Sequence, residues 1–149
     1  MKEEEISFPI YSGIGIWFLF VLLAILNGTV RVALIVPLVG AYAGHIISSI
    51  IFISVIFAVT WFYIKKKDIV SKGLAFRIGL IWFVLTVAFE FLFGHFVMNH
   101  PWEMLIHDYN ILEGRIWLLV LAATLLAPVI CFLFIKTKTR PLHKENLDG

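Results

Sequence analysis

Four long apolar runs separated by short polar punctuation make up most of the chain. The first, Phe8 to Leu26, carries no charge, has Pro9 near its start and Trp17 inside, and is long enough to cross a hydrocarbon layer of about 30 Å. Asn27, Gly28 and Thr29 interrupt the pattern. Arg31 then introduces Val32 to Gly44, an apolar run too short to cross on its own and broken by Pro37 and Gly40. This pattern predicts a broken or re-entrant segment after the first span. Further spans are predicted over 41–64, 78–98 and 111–135, with Pro128 a candidate kink in the last and a polar tail over 136–149.

Finer periodicities lie inside this frame. Trp82, Thr86, Glu90 and Gly94 recur every four residues, which places them on one helical stripe and turns Glu90 into the bundle. His95, five residues from Glu90, falls on another face. Gly40 and Gly44 have the small-xxx-small spacing that lets helix backbones approach closely, and a packing seam within the fold is the favoured role. Between the third and fourth spans, Trp102, Leu105, Ile106 and Tyr109 share one apolar face behind His100 and Pro101. That spacing predicts a short helix lying in the membrane interface. Asn110 and Glu113 have capping-box spacing at the start of the fourth span.

Composition agrees with this pattern, since 61% of the 149 residues are hydrophobic and 15% are charged. The mean hydropathy is +0.98. Those values define a polytopic membrane protein of one domain, residues 1–149, with no nucleic-acid signal. The lone Cys131 excludes an intramolecular disulfide or a dithiol pair. The acidic start, MKEEE, and the long run behind it do not resemble a cleavable signal, so the first span is expected to be retained. Ten of the twelve Lys and Arg residues lie in the N-terminus, the Lys65 to Arg77 loop and the tail. The positive-inside rule therefore predicts that both termini are cytoplasmic.

With that orientation, Asn27, Arg31, His45, Asp108, Asn110 and Arg115 gather on the outer side, and Glu90 lies roughly 12 Å below the outer boundary. A carboxylate in an apolar span costs several kcal/mol and calls for a partner; Arg31 and Arg115 are the candidates. Such a pair either fixes helix register or marks a binding or proton-carrying site. His100, Glu103 and His107 share the polar face of the interfacial helix, where the bland role is a solvated surface and the sharper one a metal site. His45 and His95 are candidate haem ligands on two helices. The sequence itself requires no cofactor, whether metal or haem.

The segments FEFLFGH, HDYN and EGRIW in the second half, with NGTVR and PLVGAYAGH in the first, resemble a group of small four-span bacterial inner-membrane proteins with no assigned activity. The resemblance implies the topology and a bacterial inner membrane, and it carries no catalytic residues. The expected fold is an all-α, four-transmembrane-helix bundle with a polar cavity around Glu90, Arg31 and Arg115. The expected role is a non-enzymatic accessory or binding protein, with the lipid bilayer and either a second copy or another membrane protein as partners. A small transporter or channel subunit using Glu90 is one alternative. A metal- or haem-dependent membrane enzyme using His100, Glu103 and His107 is another.

Overall fold

The structure, a computed structural model, describes residues 2–69, 71–97, 99, 101–103 and 117–139. Helix α1 spans Lys2–Val30, a π-helical turn Arg31–Ile35 continues it, and α2 covers Val36–Val39. After Gly40 come α3, Ala41–Lys66, and α4, Lys72–Phe96; α5 spans Trp117–Thr139. Among the described residues, four helical segments are long and apolar enough to cross a membrane, and no strand occurs. In hydrocarbon the backbone must satisfy its own polar groups, and a helix does so within each span.

The first span differs from its sequence-based boundaries. Asn27, Gly28 and Thr29 lie inside the helix, which runs on to Val39. The Thr29 hydroxyl turns back onto the Ile25 carbonyl at 2.9 Å, so this residue competes little with the helical backbone. The irregularity predicted there takes another form, a widened turn in which the Val36 N–H donates to the Arg31 carbonyl. The chain breaks one residue after α2, at Gly40, whose φ of +83° suits glycine and few other residues. A Cβ at Gly44 would sit 3.0 Å from Val36 Cγ2, so this glycine serves the close approach of α2 to α3. The pair Gly40 and Gly44 therefore divides its labour between a turn and a seam within the fold.

Helix α4 starts earlier than the apolar pattern suggests, because Ser71 caps it: its hydroxyl accepts from the Leu74 N–H at 3.1 Å. The polar first turn through Arg77 is thereby helical. Helix α5 runs through Pro128 without interruption. The outer features expected between the third and fourth spans, from the interfacial helix to the capping box at Asn110 and Glu113, lie largely outside the described residues. Trp102 and Glu103 are helical there.

Helix α1 packs against α3 and α4, and α5 packs against the same two helices from the other side. The four spans thus form a square with α1 and α5 on one diagonal. Helix α5 is held most closely: 44% of its most apolar window is buried, against 6% for the first span. The cause is small side chains. A Cβ at Gly79 would fall 2.1 Å from the Leu125 carbonyl oxygen, so α4 and α5 touch backbone to backbone, with Pro128 beside the contact. The core runs through Phe52, Ile56, Tyr63, Ile78, Trp82, Val120 and Ala127. Large apolar side chains such as Leu22, Phe62 and Leu119 point outward, where a bilayer rather than water suits them.

Candidate functional site

Across the square, α1 stands off from α5 and leaves a cavity of about 260 Å³. All four spans wall it: Trp17, Phe20, Val21 and Ala24 from α1, Phe52 from α3, Thr86, Phe89, Glu90, Phe93 and Gly94 from α4, and Trp117, Val120 and Thr124 from α5. The stripe predicted from four-residue spacing faces inward. Trp82 and Gly94 are buried, and Thr86 and Glu90 are half-buried. Gly94 and Ala24 contribute little volume, which leaves open the space that six aromatic rings enclose.

Glu90 is the ionisable side chain among the described residues of this wall, and its Oε2 accepts a hydrogen bond from the Trp117 indole N–H at 2.9 Å. A hydrogen bond of this kind offsets part of the penalty of holding a carboxyl group among aromatic rings. Below it, tryptophans tie the helices together. The Trp17 indole donates to the Thr86 hydroxyl at 3.1 Å, Thr86 donates to the Trp82 carbonyl at 2.7 Å, and the Trp82 indole donates to the Gly13 carbonyl at 2.8 Å. The Tyr63 hydroxyl completes the series by donating to the Pro9 carbonyl, with Ser12 at 3.2 Å from the same hydroxyl.

Arg31 does not reach the cavity carboxylate. Its Nη1 lies 2.7 Å from His45 Nδ1, across the α1–α3 hairpin. A guanidinium has no acceptor, so the imidazole nitrogen accepts and the ring proton sits on Nε2. Arg31 is seven residues past Ala24, so this pair lies about 10 Å along α1 from the cavity. Asn27, half-buried, is one turn before Arg31 on the same helix.

His95 stacks on Trp102, with ring centroids 3.9 Å apart. Glu103 is exposed. His100, His107, Asp108, Asn110 and Arg115 lie outside the described residues, and with them the Arg115 pairing and the histidine-carboxylate cluster. Among the described residues, no group of three or more His, Cys, Asp or Glu side chains is placed to hold a metal ion.

Sequence reasoning passed over Trp17 and Trp117 as polar partners, and Gly79 as a point of close helix contact. A signal for the first two existed: an indole N–H within an apolar span must find an acceptor, and Thr86 and Glu90 are the acceptors on the inward stripe. The fold and site define a four-span membrane bundle with an aromatic cavity and one carboxylate in its wall. Comparison of the chain with protein-family models, with curated proteins and with solved structures finds no match.

Proposed function

We propose that this is a non-enzymatic membrane protein that binds a lipophilic molecule between its four spans, with Glu90 as the polar contact that orients it. One observation carries the reading: an aromatic cavity of about 260 Å³ with a carboxylate in its wall. A dry apolar cavity of roughly 150 Å³ already takes up benzene, and ligand sites are typically apolar with a few placed polar groups. The site differs from the open polar cavity predicted from the sequence in being mostly apolar, with Arg31 engaged elsewhere.

The distribution of Lys and Arg supports cytoplasmic termini, which puts Glu90 in the outer half of a bacterial inner membrane. The loosely packed α1 supports entry of the ligand from the lipid side and leaves surface for a second copy or another membrane protein. The apolar hairpin between Arg31 and Gly44 lies at the outer surface in this arrangement.

The test is mass spectrometry of organic extracts from protein purified in mild detergent, beside the cavity-filling variant Ala24→Phe. The expected result is a lipophile at near-stoichiometric amount in the wild type and its loss in a folded Ala24→Phe. Equal amounts in both proteins, or none in either, would sink the reading.

A further inference from the structure

The Arg31 end of the α1–α3 hairpin holds a cation that the described residues do not neutralise. Arg31 is half-buried at the start of the π-helical turn, and its hydrogen bond goes to a neutral imidazole nitrogen. Among the described residues no carboxylate pairs with it. A desolvated guanidinium without an anion is costly, whereas an arginine that only snorkels into water needs no clasp from a second helix.

Its position says where the anion comes from. Arg31 is 22 residues beyond Pro9, about 33 Å along the helix. That distance matches a hydrocarbon layer of about 30 Å, which places Arg31 at headgroup level. The opposite boundary is marked by Lys65, Lys66 and Lys67 at the end of α3. Around Arg31 the exposed side chains are mostly apolar, namely Leu26, Val30, Val32 and Leu34, with Thr29 exposed among them. At that level, lipid chains and the phosphates that head them come within reach of this arginine. A planar guanidinium matches phosphate geometry, π-turns recur at functional positions, and basic pockets between spans are known binders of anionic headgroups.

We propose that Arg31, oriented by His45, binds the phosphate of an anionic phospholipid in the leaflet remote from the Lys65–Lys67 loop. This site is separate from the aromatic cavity and stands whether or not the cavity holds a ligand. His45 acts here as a positioning residue, since its Nδ1 fixes the plane of the guanidinium and leaves the other N–H donors for phosphate oxygens.

Native mass spectrometry of the full chain, loaded with phosphatidylglycerol or phosphatidylcholine, tests the site. Wild type is expected to retain phosphatidylglycerol in preference, and Arg31→Gln to retain about tenfold less, the scale of one lost charge-assisted hydrogen bond. Equal retention by the two proteins would overturn the proposal. Excess sodium phosphate is expected to leave the lipid in place; displacement would assign the site to a free anion and overturn the lipid assignment. Should Arg31→Gln fail to fold, Arg31→Lys keeps the charge without the planar fork and is expected to retain several-fold less lipid. Retention at the wild-type level by Arg31→Lys would show nonspecific attraction and overturn the proposal as well.

Discussion

The Lys65 end of the bundle and the Arg31 end are built on the same four helices and packed to opposite effect. On α4, every buried residue except Gly94 lies at or before Trp82. Toward the Lys65 end, Tyr63, Ile64, Leu74, Ala75, Ile78 and Trp82 close the interior, and the Gly79 contact brings two backbones together. Beyond Thr86 the interior opens into the cavity, and Leu92 and Phe96 point outward. The contrast teaches that α4 is held mainly toward its Lys65 end, whereas α3 and α5 also bury Ser48, Ser49, Phe52, Val120 and Leu121 toward the Arg31 end. The Arg31 end keeps room for a carboxylate, a cavity and an arginine that packing alone does not require.

The sharpest way to break that comparison is Gly79→Ala. The added methyl would meet the Leu125 carbonyl at 2.1 Å, a backbone atom that cannot swing aside. The expected loss is about 3 kcal/mol, at the upper end of overpacking penalties, and appears as a lower thermal midpoint in detergent. An unchanged midpoint would show that α4 and α5 are not pressed together there.

Trp82→Phe comes next. Phenylalanine keeps a ring in a fully buried position but loses the indole N–H that reaches the Gly13 carbonyl. The expected loss is about 1–2 kcal/mol, from one hydrogen bond and a smaller ring, read in the same melt. A variant as stable as wild type would remove α1 from the well-held end of the bundle.

Gly44→Ala should have the smallest effect. Its methyl meets Val36 Cγ2 at 3.0 Å and the Val36 backbone at 3.4 Å, contacts that a shift of the hairpin by a few tenths of an ångström relieves. Alanine also gains about 0.8–1 kcal/mol of helix propensity over glycine. The two effects offset, and stability within about 0.5 kcal/mol of wild type is expected. A loss as large as that from Gly79→Ala would mean that the hairpin tip is as tight as the opposite end and would erase the contrast.

Much of this was legible in the chain. The four-residue recurrence from Trp82 to Gly94 turned Glu90 inward because the side chains of one helix stripe stack in register. Asn27 to Thr29 misled, because residues that break helices in water remain helical where the backbone has no solvent to turn to. The sequence offers Arg31 and Arg115 as partners of Glu90, since charge is conspicuous in an apolar sequence, and Arg115 lies outside the described residues. The indole N–H of Trp117 is inconspicuous there, as tryptophan counts as an apolar residue in any hydropathy pattern. The seat of Arg31 across from His45 follows from the turn at Gly40, and chain order does not encode how a hairpin folds back.

The sequence by itself determined the helical class, the four spans and the inward stripe bearing Glu90, since each follows from hydropathy and periodicity within a single segment. Only the tertiary structure decided that α5 sits between α3 and α4, that α1 stands back to leave a cavity, and which side chains close on one another across helices. Those outcomes depend on interhelical distance, which is set by where small residues meet. The meeting of Gly79 with the Leu125 carbonyl is a property of two helices together and is written in neither one alone.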